Sequence, residues 1–364
     1  MEVDLSALRH NLAVVRGLAG RREVIASVKA NAYGFGVVEI GRALAGAGVR
    51  KLWTGNIDEA IRLREAAIDV EILLFGGIES HQADAVLRHD FQPTIYDDAG
   101  ADMLAKAAGA YRKPVPVWIK VDAGLGRFGV AIDKAAMFIE RVEAEAALDL
   151  RGIYTHLPFA TADGARWAGE REASFRRLID ALRARGRPMP ATQVWGSAGL
   201  LADLSDTSTA VCVGHALFGL NPLERGTRSH SPLRPLIHSL SARVLQSVDH
   251  GAGLARMAGY GQNFDGRSAT LGIGLADGLA KARHGDAQVI VDGHRRPVRA
   301  FTLENLIVEA GDRQIEPFDH AFIIGAVGSA RIAIEDWAVW TGLSPLELML
   351  SFSDRIPVRY VDLA

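Results

Sequence analysis

Cysteine is nearly missing from this chain: Cys212 is the one example among 364 residues. A disulfide framework within the chain and a zinc cage built from cysteines are therefore excluded. Dense basic runs are missing as well. Lys and Arg number 41 against 43 Asp and Glu, a formal net charge of −2, which gives nucleic acid no electrostatic footprint. No segment approaches the ~18 uninterrupted apolar residues that a membrane-spanning helix needs. The opening stretch, Met1 to Asp4 and on through LSALRHNLAVVRGLAGRR, reads as an amphipathic helix with charges inside it. It lacks the apolar core and cleavage site of an export signal. The expectation is a soluble, cytoplasmic protein with no membrane, nucleic-acid or metal partner.

Apolar material is plentiful, at 49% of the residues, and at about 150 residues per domain the length predicts two or three domains. From about residue 23 to 214, short apolar runs alternate with longer segments of helical period. The runs are 23–29, 51–56, 71–76, 92–97, 115–121, 150–156, 191–197 and 209–214. Eight consecutive strand-plus-helix units predict an α/β fold of the closed (β/α)8, TIM-like kind. After residue 235 the texture changes to glycine-punctuated alternating runs such as HSLSARVLQSV, SATLGIGLAD, AQVIVDG and HAFIIGAVG, broken by a single helix at about 333–342. That half reads as a mainly-β domain. The expected domains are 1–235 and 236–364.

In barrels of this kind the site lies at the C-terminal ends of the strands. The strand assignments alone bring Lys29, Tyr33, Asp122, Arg127, His156, Ser197, Cys212 and Gly214 to that end. One lysine ends strand one, and small residues end strands seven and eight, where barrels commonly build a phosphate site. The layout suits pyridoxal phosphate chemistry, with a lysine for the Schiff base and backbone N–H groups and hydroxyls for the phosphate. Each residue taken singly also has a plainer reading. Lys29 can snorkel to solvent, His156 can be a satisfied structural histidine, and Lys120 with Asp122 can form an ion network inside the barrel. Residues 124–129, GLGRFG, match G-x-G-x-x-G. They fall at strand five of eight with no open-sheet order around them, which argues against a dinucleotide fingerprint.

The stretch SVKANAYGFG (27–36) closely resembles the cofactor-lysine motif of alanine racemase, a family of fold-type III pyridoxal phosphate enzymes built from an eight-fold barrel and a β domain. The resemblance continues through DEAIRLREAAIDVEILLFG (58–76), KVDAGLGRFG (120–129), GIYTHLPFATAD (152–163), GYGQNF (259–264), GIGLADG (272–278) and RIPVRY (355–360), and so covers essentially the whole chain. It implies that Lys29 carries pyridoxal 5'-phosphate and is one of two acid/base groups. Tyr260 resembles the opposing catalytic tyrosine, supplied by the β domain of a second subunit, which implies a homodimer with shared sites. Tyr33 and Tyr360 resemble the phosphate-binding tyrosines, with Ser197, Gly214 and the His215 backbone completing the cradle. Arg127 resembles the arginine near the cofactor hydroxyl and the substrate carboxylate, and Lys120 the lysine that supports it, carbamylated in many relatives.

The chain also departs from the family pattern. Where the family has an arginine that donates to the pyridine nitrogen, two residues before the phosphate-loop glycine, this chain has Cys212. A near-neutral thiol in place of a permanent cation alters the ring electronics, and His156 loses the partner that normally lies beside it. The usual Asn-Ser pair is Gly196-Ser197, the usual Met-Asp near the substrate carboxylate is Leu303-Glu304, and Leu275 replaces an entrance tyrosine. The expected function is a pyridoxal phosphate-dependent amino-acid racemase whose substrate need not be alanine, with Lys29 and Tyr260 as its two bases. Two alternatives stay open. One is a lyase, aldolase-type or decarboxylase reaction enabled by Cys212, and the other is a cofactor-binding homologue without catalysis. Cys212 itself can face the cofactor or be inert packing.

Overall fold

Eight of the apolar runs form strands that pair in parallel around a closed ring. They are β1 (Glu23–Ser27), β2 (Lys51–Thr54), β3 (Glu71–Leu74), β4 (Gln92–Ile95), β5 (Val115–Asp122), β6 (Leu148–Tyr154), β7 (Ala191–Gln193) and β8 (Ala210–Val213). Neighbours in sequence are neighbours in space, and β8 returns to β1 with Cys212 opposite Ile25. The computed structural model describes residues 1–186, 188–224, 232–250, 266–282, 287–311, 315–316 and 319–363. These divide into two units, Ala7–Arg234 and Met1–Ser6 with Pro235–Ala364.

The barrel is filled, as period-two alternation requires. Ile25, Trp53, Leu73, Trp118, Tyr154 and Ala210, from six different strands, form one buried cluster against which Phe75 and Cys212 pack. Some of the polar groups inside are paired, although the buried Trp53 Nε1–H has no hydrogen-bond partner among the described residues. The Trp118 Nε1–H donates to Gln92 Oε1 at 2.8 Å, and the Thr94 and Tyr154 hydroxyls lie 3.2 Å apart. Trp118 fits only because β6 offers Gly152 opposite it: a Cβ there would overlap the indole ring. The ring is boxed by Trp53 and Tyr154, at centroid distances of 6.1 and 6.5 Å. Gly152→Ala is therefore expected to overpack the barrel and destabilise it by about 1–3 kcal/mol, read as a lower denaturant midpoint with an unchanged m-value. An unchanged midpoint would contradict this packing.

In the other unit, nine strands among the described residues join one sheet. Strand Ile237–Asp249 pairs with both Arg267–Leu271 and His320–Val327, so six of the strands close on themselves. Asp292 and Gly293, both at positive φ, make the two-residue hairpin between Gln288–Val291 and His294–Phe301, the turn that an Asp-Gly pair favours.

Two local expectations differ from the structure. Glu2–Asp4 is a strand, antiparallel to Ile237–Asp249 and parallel to Arg359–Val361, and the helix begins only at Leu5. Residues more than 230 positions away therefore decide its conformation, which local periodicity cannot register. The single helix expected at 333–342 is Ile334–Thr341, and it is followed by a second, Pro345–Ser351. The second helix carried its own signal in SPLE. Ser344 accepts from the Glu347 N–H at 3.2 Å, Glu347 accepts from the Ser344 N–H at 2.7 Å, and Pro345 occupies the first helical position, a complete capping box. No described helix is long and apolar enough to cross a membrane.

Candidate active site

The chain leaves β1 through Val28 into an unusual turn. Ala30, Asn31, Ala32 and Tyr33 all have φ between 52° and 57°, a left-handed turn that costs about 1–2 kcal/mol for each residue other than glycine. It is held by several hydrogen bonds. The Ala32 N–H donates to Val28 O at 2.9 Å and the Gly36 N–H to Asn31 O at 2.9 Å. The Asn31 N–H donates to Glu59 Oε1 at 2.6 Å, and Asn31 Oδ1 accepts from the Val37 N–H at 2.9 Å. The turn sets Lys29 and Tyr33 on the same side, with Nζ 5.8 Å from the tyrosine ring centroid.

Both side chains line a cavity of about 290 Å³ at the C-terminal mouth of the barrel. Around them stand Lys120 and Arg127 from β5 and the loop after it, His156 beyond β6, Gly196 and Ser197 beyond β7, and Cys212, Gly214 and His215 at the end of β8. Among the described residues no carboxylate lines this cavity, while two lysines and an arginine do.

The charges act on one another. Burial depresses the Lys29 ammonium, the Cys212 thiol opposes that, and Arg127 adds to it. Burial and then Arg127 lower Lys120 to about 8, with Asp122 opposing. Lys120 Nζ donates to Arg127 O at 2.8 Å and lies 5.4 Å from the Phe128 ring centroid. His156 falls to about 4 through burial and then the charges of Lys29, Arg127, Lys120 and His215. His215 also falls to about 4, through burial and Lys29. Both imidazoles are therefore neutral near pH 7. Burial pushes the Cys212 thiol up to about 12 against the pull of Lys29, so it is a neutral S–H rather than a thiolate.

Small residues shape the far wall. A Cβ on Gly214 would overlap the Tyr33 hydroxyl, and one on Gly196 would lie 3.3 Å from Cys212 O and 3.7 Å from His156 Cε1. Ser197 Oγ accepts from the Ala216 N–H at 3.2 Å, which ties the ends of β7 and β8 together. The GLGRFG segment proves to be a loop folded around Asp122, whose carboxylate accepts from the N–H groups of Gly124 at 2.9 Å, Leu125 at 2.8 Å and Gly126 at 3.0 Å. It holds out Arg127, and the closed barrel around it is no dinucleotide-binding sheet.

Residues 3–222 match the family model described as alanine racemase, N-terminal domain, and residues 237–360 match alanine racemase, C-terminal domain. The chain belongs to the alanine racemase family. Over 369 residues it is 30% identical to the alanine racemase of a Nostoc species, with 98% of this chain and 94% of that one covered. It is 31% identical to the alanine racemase of Prochlorococcus marinus over 371 residues, with the same shares covered. Among solved structures, alanine racemase from Streptomyces coelicolor superposes with a TM-score of 0.87 at 27% identity, covering 100% of this chain and 97% of that one.

Of the residues singled out from sequence, the barrel brings Lys29, Tyr33, Lys120, Arg127, His156, Ser197, Cys212, Gly214 and His215 to one cavity. Leu303, Glu304, Leu275 and Tyr360 belong to the other unit. There Leu275 and Leu303 are exposed and their loops meet, with the Ala276 N–H donating to Leu303 O at 2.7 Å, and Glu304 pairs with Arg355 at 3.0 Å. Tyr260 lies outside the described residues. Sequence reasoning missed Ser27, Trp53, Phe75, Phe128, Tyr154, Phe159 and Gln193, which also line the cavity. For Ser27 and Tyr154 a signal existed, since in the strand runs expected at 23–29 and 150–156 they stand two residues before Lys29 and His156, where alternation puts each pair on one face.

Proposed function

We propose that this alanine racemase family member is a pyridoxal 5'-phosphate-dependent amino-acid racemase. The observation that carries the reading is a partly buried lysine at the end of β1, inside a cavity that gathers Lys29, Lys120 and Arg127 with no carboxylate among its described lining. Three desolvated cations favour a ligand bearing several negative charges, which a phosphorylated cofactor and an amino-acid carboxylate together supply. The small cradle also fits: the missing side chain of Gly214 lets the Tyr33 hydroxyl reach the end of β8, where Ser197 Oγ accepts the Ala216 N–H. When bound, pyridoxal phosphate supplies an electron sink that acidifies the substrate α-carbon.

The chain's own groups then divide the work. Lys29 holds the cofactor and, with its ammonium already depressed, takes or returns the α-proton on one face. Tyr260, on the strength of the family resemblance, serves the other face from a partner subunit, so the active species is a homodimer. Arg127 orients the substrate carboxylate, and Lys120 holds the Arg127 loop through the backbone carbonyl. Tyr33, Ser197, Gly214, His215 and Tyr360 take the phosphate. His156 and His215, being neutral, add no competing proton near pH 7. Cys212 offers a neutral S–H where the family pattern has a cation, and this motivates a substrate preference other than alanine.

The test is incubation of the purified protein and cofactor with L- and D-amino acids in deuterated water. The expected result is α-deuterium incorporation accompanied by inversion. Loss of the carboxylate or side chain would replace this reading with the decarboxylase or lyase alternative, and no exchange with any amino acid would leave a binding protein.

A further inference from the structure

The left-handed turn after β1 spends backbone energy next to the reactive lysine. Besides the Val37 N–H on Asn31 Oδ1, a carboxylate from farther along the chain holds it. Glu59 is 8% exposed and sits at the third position of the helix Ile57–Glu65, where the first-turn dipole favours a negative charge. One oxygen accepts the Asn31 N–H at 2.6 Å and the other accepts the hydroxyl of Thr54, itself fully buried at the end of β2. No cation pairs with Glu59 in any ion pair between described residues. A buried carboxylate with only neutral donors is costly to keep, and an ordinary right-handed turn would not need it.

We propose that Glu59 is a positioning residue: by clamping the Asn31 N–H against the end of β2, it locks the left-handed turn and so aims Lys29 and Tyr33 into the cavity. The clamp joins two neighbouring strand ends, so Lys29 is referred to β2 as well as to its own strand. The proposal deepens the racemase reading, in which Lys29 is the reactive group.

The experiment uses the full-length chain and the variants Glu59→Ala, Glu59→Gln and Thr54→Val. Lys29 reactivity toward trace acetic anhydride is followed against pH by peptide mass spectrometry. Cofactor fixation on Lys29 by borohydride is measured separately, with circular dichroism as the check on folding. The groups facing Lys29 are Tyr33, Cys212, Arg127, His156 and His215, and none of them is altered.

In the parent protein Lys29 is expected to titrate below the exposed lysines. In Glu59→Ala its profile is expected to move up toward theirs and its fixation to fall about tenfold, the equivalent of roughly 1.4 kcal/mol. Glu59→Gln keeps an acceptor for the Asn31 N–H and is expected to restore both readouts to within about threefold. If Glu59→Ala does not fold, Thr54→Val, which removes the second anchor and with it the 3.4 Å acceptor of the Asn56 N–H, decides the matter through a smaller shift in the same direction. An unmoved Lys29 profile with unmoved fixation overturns the proposal. So does a lowered melting temperature in the variants without any change at Lys29, since Glu59 would then be merely structural. Absence of borohydride label on Lys29 of the parent protein would instead overturn the cofactor reading, and the titration comparison would still judge Glu59.

Discussion

Replacing Lys29 with alanine is expected to abolish borohydride-fixable cofactor and to cut α-proton exchange by at least about 10³-fold, within the range that loss of a positioned acid/base group produces. Two contributions are removed together: the amine that tethers the cofactor and the base on one face of the substrate. Lys29→Arg is the sharper control. A guanidinium keeps the positive charge in the cavity, yet it stays protonated at any accessible pH and cannot serve as base or covalent anchor. If charge alone mattered, Lys29→Arg would retain cofactor binding and rate. The expected outcome is that it binds the anionic cofactor non-covalently and is as inactive as the alanine variant. Partial recovery of exchange by a small added amine in Lys29→Ala, and none in Lys29→Arg, would complete the assignment. Exchange within tenfold of the parent protein in either variant, or label on another lysine, would defeat it.

Cys212→Arg is expected to have the second largest effect, and in two directions. Without cofactor, a guanidinium would join a wall already crowded with positive charge, where burial and then the charges of Lys29, Arg127 and Lys120 hold His156 down to about 4. An unpaired buried cation of this kind costs roughly 3–5 kcal/mol, so the cofactor-free variant should unfold at markedly lower denaturant. With cofactor bound, the phosphate offsets part of that repulsion, and saturating cofactor should recover much of the loss through linkage. The chemical effect is separate. Cys212 is neutral, with its thiol pushed up to about 12, and an arginine restores the permanent donor that the family resemblance places against the pyridine nitrogen. Specificity should then move toward alanine, read as a rise in kcat/KM for alanine relative to the substrate the parent protein prefers. An unaltered substrate ranking, with an unaltered cofactor absorption spectrum, would reduce Cys212 to packing against Ile25, Trp53 and Tyr154 in the barrel cluster.

Most of the candidate site was legible in advance, for a geometric reason. Parallel strands in a closed ring put all their C-terminal ends at one mouth. Residues as far apart in sequence as Lys29, Arg127, His156, Ser197 and Cys212 therefore had to converge once eight strands had been counted. The inner wall was less legible. Trp53, Phe75 and Gln193 are ordinary strand residues by pattern, and only the packing of Trp118 against Gly152 and of Tyr154 against Trp53, at a centroid distance of 4.6 Å, shows how they close the floor. Tyr360 carried motif resemblance and Leu303 stands where the family pattern has a methionine, but both fall in the separate unit, so counting barrel strands says nothing about them.

The sequence by itself determined the elements whose causes are local. Hydrophobic period separated the β and α segments, Asp292-Gly293 made its hairpin, and SPLE marked a helix start that was there to be read. Tertiary structure alone decided the elements whose causes are distant. Glu2–Asp4 is a strand because Ile237–Asp249 and Arg359–Val361 pair with it. Ala30 to Tyr33 are all left-handed, a conformation that only Asn31 among them tolerates readily, in a turn whose Asn31 N–H is accepted by Glu59, 28 positions further on. Local preferences amount to about a kilocalorie per residue, and a buried, hydrogen-bonded partner supplied by the fold is enough to reverse them.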